Sequence, residues 1–141
     1  MPSSVKLLQM TPVDIPLIWE FVVDDLSRAV KENDGESGLD DLLRSLLSGQ
    51  HILWLAWDGL NILGCCTTFI HDYPKKRALF VSLLAGRNFR EMAKLEDGIA
   101  RHAMLSGCTE INTFVVPRVA ALIERITNKY KTTHEVMVRK L

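Results

Sequence analysis

Val81-Ser82-Leu83-Leu84-Ala85-Gly86-Arg87-Asn88-Phe89-Arg90-Glu91 decides how this chain is read. An apolar strand runs into a short turn with one glycine, and the turn opens directly into a helix. Such a junction leaves backbone N–H groups unpaired beside the positive end of the helix dipole, a ready anion site. Arg87 and Arg90 sit in it as charge-assisted donors for a phosphate. An ordinary strand-to-helix turn, with Asn88 as the helix N-cap and two solvated arginines, accounts for the same residues.

Upstream of this junction the period is that of strands. His51 to Trp57 is a continuous apolar run, Asp58-Gly59-Leu60-Asn61 has hairpin chemistry, and Ile62 to Ile70 is rich in β-branched and aromatic residues. His71-Asp72-Tyr73-Pro74-Lys75 forms a second turn, and Arg77 to Leu84 is a strand apolar on both faces, hence central. These three strands form an antiparallel meander. Before them, residues 5–9 read as a first strand. Thr11-Pro12 starts a helix over about 12–30, and Leu39 to Ser48 is a second helix stopped by Gly49.

Downstream, Asn88 with Glu91 fits a capping box for one long helix, 89–106, whose buried stripe is Phe89, Met92, Leu95, Ile99 and Ala103. Glu110 to Val116 is a fifth strand, parallel to and beside the fourth. Pro117 opens a last helix and His134 to Leu141 a closing strand. The order is β-α-α-β-β-β-α-β-α-β, an α/β domain over residues 1–141 with a mixed, mostly antiparallel sheet flanked by helices.

Seventeen Lys and Arg balance seventeen Asp and Glu, and 48% of residues are hydrophobic. The charge balance argues against a nucleic-acid partner, and Lys75-Lys76-Arg77 reads as a solvated hairpin. No apolar run is long enough for a membrane span, nor for a signal peptide near Met1. Cys65, Cys66 and Cys108 are an odd set without ligand spacing, which suggests buried free thiols in a reducing compartment. The expectation is a soluble, cytoplasmic protein. His51, His71, His102 and His134 are dispersed, so no metal site is expected. His71 with Asp72 suits proton transfer but also a surface turn. Trp19, Trp54 and Trp57 read mainly as core.

The element order resembles that of the GCN5-related N-acetyltransferase (GNAT) superfamily. Leu84-Ala85-Gly86-Arg87, Gly107-Cys108-Thr109-Glu110-Ile111 and Tyr130-Lys131-Thr132-Thr133-His134-Glu135-Val136 are similar to small phage-encoded GNAT-like proteins. The resemblance implies that strands 4 and 5 splay and that acetyl-CoA lies between them. It would be held by the backbone of Leu83, Leu84 and Ala85 and by the turn of Gly86, Arg87, Asn88, Phe89 and Arg90. It implies an acyl-CoA-dependent N-acyltransferase acting on a small-molecule or protein amine, with no metal.

Two departures stand out. The family's glycine-rich turn is reduced to Gly86, and the last-helix tyrosine that protonates the departing thiolate is replaced by Ile123. Tyr130, the nearest tyrosine, is the candidate acid, with packing against the closing strand as its alternative. Ser82 is the second catalytic candidate, with strand packing as its alternative. These departures also fit a GNAT-shaped protein without catalysis, serving as a structural or assembly component of a phage particle. Its partners would then be virion proteins or a second copy of the chain, and its location the host cytoplasm or the virion. A small module binding a nucleotide at the same turn is a third reading. The acidic residues Asp24, Asp25, Glu32, Asp34 and Glu36 fit a wall for a cationic acceptor or a solvated loop.

Overall fold

Pairing of consecutive apolar runs builds the sheet on which everything else is mounted. The computed structural model describes residues 5–32, 38–86, 88–93, 95–113, 117–127, 129–133, 137 and 139. Its elements are β1 (Lys6–Met10), α1 (Ile15–Glu32), α2 (Leu39–Ser48), β2 (Ile52–Trp57), β3 (Ile62–Asp72) and β4 (Arg77–Gly86). They are followed by α3 (Phe89–Ala93), α4 (Glu96–Leu105), β5 (Glu110–Thr113) and α5 (Pro117–Ile126). The sheet is five-stranded in the order β1-β2-β3-β4-β5. All neighbours are antiparallel except β4 and β5, which are parallel. The mixed α/β architecture is the one expected. The expected closing strand, 134–141, falls largely outside the described residues.

Local chemistry explains the turns. Asp58 Oδ1 accepts the N–H groups of Leu60 (2.8 Å) and Asn61 (2.7 Å), and Gly59 adopts φ 101°. That combination closes the β2–β3 hairpin. Gly49 ends α2 at φ 81°, returning its N–H to the Leu46 carbonyl. Helix α1 begins later than expected. Thr11-Pro12-Val13-Asp14 forms a separate turn in which Asp14 Oδ2 accepts both the Thr11 N–H (3.0 Å) and its hydroxyl (2.7 Å).

Two further corrections concern the decisive stretch. Strand β4 extends through Gly86, and β3 through Asp72, so His71 and Asp72 belong to a strand and not a turn. The expected long helix is two pieces. Asn88 caps the first, its Oδ1 accepting the Glu91 N–H at 3.1 Å. The chain then turns at Leu95, whose N–H goes to the Met92 carbonyl, and α4 starts afresh at Glu96.

The sheet carries a core on each face. On one, Ile15, Val22, Leu26, Leu42 and Leu46 of α1 and α2 cover Leu53, Leu55, Cys65 and Ala85. On the other, Ile99 and Ala103 of α4 cover Trp54 and Leu79, with Cys66 and Val81 beside them. Leu26, Leu53 and Leu79 are each 0% exposed, and truncating such a leucine to alanine costs about 2–5 kcal/mol. Cys65 and Cys66 fall on opposite faces as free thiols, as expected for strand neighbours. Trp54 is core and its indole N–H reaches Thr68 Oγ1 at 2.8 Å, whereas Trp57 is 41% exposed. Among the described residues no helix is long and apolar enough to cross a membrane.

Candidate active site

The described part of the parallel ladder between β4 and β5 joins Ala78 to Glu110, Leu79 to Ile111, Phe80 to Asn112 and Val81 to Thr113. The rest of the expected fifth strand, 114–116, lies outside the described residues. The Thr113 hydroxyl donates to the Val81 carbonyl at 3.1 Å. Strand β4 continues through residues 82–86, paired only with β3 among the described residues.

A bulge shapes the same extension. Val81 pairs with Thr68 and Leu83 with Thr67, so Ser82 is one residue too many. The bulge changes the facing of the strand. Leu79 and Val81 point to the α4 face, while Leu83 and Ala85 join the α1–α2 core. The Ser82 hydroxyl donates to the Thr67 carbonyl (3.2 Å) and accepts the Thr67 hydroxyl (2.6 Å). Ser82 is thus tied to β3, and its proton is already committed.

Gly86 ends the strand with φ 141°, where a side chain is strained. It faces Gly64 across the ladder, and a Cβ at Gly86 would lie 2.6 Å from the Gly64 Cα. A Cβ at Gly64 would in turn lie 2.2 Å from Met92 Sδ. The glycine therefore answers to close strand packing beneath α3, whatever else the turn does. Asn88 is exposed and spent on its cap, and Arg90 is exposed at the start of α3. Arg87 and the Phe89 side chain lie outside the described residues.

Between the α4 face of the sheet and α3, α4 and α5 lies a cavity of about 130 Å3. Val81 and Leu84 of β4 and Thr113 of β5 line it, and Leu122 and Ile123 line it from α5. Ile123, which the resemblance aligns with a catalytic tyrosine, presents an apolar side chain here. Tyr130 also lines the cavity, half-buried, with its hydroxyl donating to Glu96 Oε1 at 3.0 Å. Lys129 Nζ reaches Glu96 Oε2 at 3.3 Å and Asp97 Oδ1. Burial, then the negative charge of Glu96 and the hydrogen bond to it, push the Tyr130 phenol well above its ordinary range. The structure therefore brings Tyr130 to the cavity by way of Glu96, a residue the sequence reading treated only as part of a helix. No local motif pairs two residues so far apart.

Other candidates stand elsewhere. Asp72 is bound by Arg77 (2.6 Å), and His71 packs edge-on against Tyr73. Lys76 pairs with Glu110 at 2.5 Å, so the basic hairpin is partly neutralised. His51 stacks on Phe69, and burial lowers its pKa. His102 meets Trp54 edge-on. Asp25 is paired with Arg28, and Asp24 is exposed. Asp34 and Glu36 fall outside the described residues, where the acidic loop was expected. Among the described residues no three His, Cys, Asp or Glu side chains are grouped to hold a metal ion.

No family model matches the chain. No curated protein matches it. Solved structures do. One is a predicted acetyltransferase from Clostridium acetobutylicum determined with acetyl-CoA (TM-score 0.67, 12% identity, 97% of this chain and 96% of that one). Another is an aminoglycoside N-acetyltransferase in complex with CoA (TM-score 0.67, 17% identity, 99% and 97%). A third is an aminoglycoside acetyltransferase from an uncultured soil metagenomic sample in complex with sisomicin (TM-score 0.67, 13% identity, 97% and 94%). A transcriptional regulator from Bacillus halodurans is also similar (TM-score 0.69, 17% identity, 98% and 100%). The fold is that of the GNAT acetyltransferases.

Proposed function

We propose that the protein is an N-acyltransferase that moves an acyl group from a CoA thioester to a primary amine. The observation that carries this reading is the fold, shared over nearly the whole chain with acetyltransferases determined with acetyl-CoA or CoA. An apolar cavity bordered by β4, β5 and α5 lies on the α4 face. In this reading the backbone of Leu83, Leu84 and Ala85 holds the thioester arm, and the turn of Gly86 to Arg90 receives the pyrophosphate.

The chemistry asks little of the protein beyond positioning. The amine nitrogen attacks the thioester carbonyl carbon, the C–N bond forms and the C–S bond breaks. The amine gives up a proton to solvent, and the sulfur leaves as a thiolate. A β4 N–H aimed at the carbonyl oxygen stabilises the charge that develops there. Tyr130 is the group assigned to meet the departing thiolate: its O–H turns from Glu96 to hydrogen-bond the sulfur, which then takes a proton from solvent. Glu96, accepting from its hydroxyl, orients the phenol and keeps it protonated. Ser82 is assigned no proton transfer, since its hydroxyl is held by Thr67, and its part is to fix the bulge.

The test is release of free CoA thiol from acetyl-CoA in the presence of a panel of primary amines that includes sisomicin. Amine-dependent release, weakened in Arg90→Glu, supports the reading. A substitution at Gly86 is not a usable control, because that residue packs against Gly64. Binding without turnover for every amine would favour the second reading, a GNAT-fold assembly protein. Ile123 at the tyrosine position is the observation behind it.

A further inference from the structure

We propose that the cavity on the α4 face is an acyl-chain pocket, sized for an unbranched apolar chain of about four to six carbons carried on the thioester. The inference rests on the acyltransferase reading and names the acyl group that reading leaves open. One end of the cavity is lined by Val81 and Thr113, which pair across β4 and β5. A thioester carbonyl held at that point has the cavity directly beside it. From there the lining passes beneath the sheet to Ala56 on β2 and Leu7 on β1.

Size and polarity both point to a chain longer than acetyl. An engineered cavity of roughly 150 Å3 lined by aliphatic and aromatic side chains stays dry and accepts benzene, a six-carbon ligand. The volume here is close to that, about 130 Å3, and a single methyl group leaves most of it empty. The charged and phenolic groups that reach it, Glu96 and Tyr130, are hydrogen-bonded to each other at 3.0 Å. They therefore demand little of a ligand. Small side chains at Ala56 and Ala93 help to leave the space open.

The test is calorimetric titration with CoA, acetyl-CoA, butyryl-CoA and hexanoyl-CoA, with free hexanoate as a separate arm and thermal shift as a second readout. The pocket predicts affinity rising about fourfold per methylene, the worth of one buried CH2, so butyryl-CoA binds roughly 15-fold tighter than acetyl-CoA. Ala93→Leu, which fills the space, abolishes that rise. Ala56→Leu is the alternative should Ala93→Leu not fold. An acyl-CoA affinity that stays flat or falls with chain length overturns the pocket and leaves the acyltransferase reading standing. Hexanoate binding without any CoA binding overturns the thioester assignment together with that reading. Binding of none of the ligands overturns both.

Discussion

The Tyr130 hydroxyl donates to Glu96 Oε1 at 3.0 Å, joining residues 34 positions apart at the wall of the cavity. Glu96 is held in turn by Lys129, so the phenol rests on an anchored carboxylate. Tyr130→Phe keeps the ring and removes the proton. Turnover falls about 100-fold while acetyl-CoA affinity is retained, as expected for loss of a donor to the charge that develops on the leaving sulfur. Steady-state kinetics beside calorimetry separates the two effects. Unchanged turnover would remove Tyr130 from the reaction.

Alkaline stability follows from the same burial. Cys65 and Cys66 are pushed from 9.0 up to about 12, chiefly by burial, and Tyr130 is raised as well. All three are neutral when protonated, so raised values mean that the fold favours the protonated forms. Their contribution is complete below pH 9 and is lost progressively as pH rises toward 12. The urea midpoint should be flat below pH 9 and decline above it. In Tyr130→Phe the decline above pH 10 is shallower. At pH 8 the buried thiol of Cys65 resists a disulfide reagent until the protein is unfolded.

Gly86 and Gly64 face each other where β3 and β4 approach closely beneath Met92. Gly86→Ala places a Cβ 2.6 Å from backbone at φ 141°, and costs about 3 kcal/mol from strain and overpacking together. Gly64→Ala meets Met92 Sδ first, at 2.2 Å, and the Ala85 carbonyl next. Met92→Ala therefore rescues more of the loss at Gly64 than at Gly86, where Met92 Sδ lies at 3.0 Å behind two closer backbone atoms. Thermal melts of the two single and two double variants check this.

The buried bond from Trp54 Nε1 to Thr68 Oγ1, 2.8 Å, ties β2 to β3 on the α4 face. Thr68→Val leaves the indole N–H unpaired and costs about 1–3 kcal/mol. Thr68→Ser keeps the acceptor and costs less. Urea denaturation of the three proteins measures the difference.

The fold was legible because its signals are local. Asp58-Gly59-Leu60-Asn61 can only turn, Gly49 ends a helix, and the apolar meander between them announces its own pairing. The errors lie where tertiary contacts override local chemistry. Gly86 reads as a turn residue because glycine usually is one, yet Gly64 opposite makes it a strand residue. The bulge at Ser82 leaves no trace in an apolar run. The break between α3 and α4 occurs inside a stripe that keeps helical period throughout. Of the candidate site, the strand from Arg77 with Gly86 after it was legible as a pattern, whereas Glu96 meets Tyr130 only after folding. The reduced glycine turn and Ile123 were visible, but the cavity behind them was not, since volume is a property of packing and not of sequence.

Isothermal titration of the purified protein with acetyl-CoA shows most directly whether the β4 segment from Leu83 to Gly86 holds a CoA thioester. The expected result is one site per chain with a Kd on the order of micromolar, weakened in Arg90→Glu. No heat of binding, together with no thermal shift at millimolar acetyl-CoA, would contradict it.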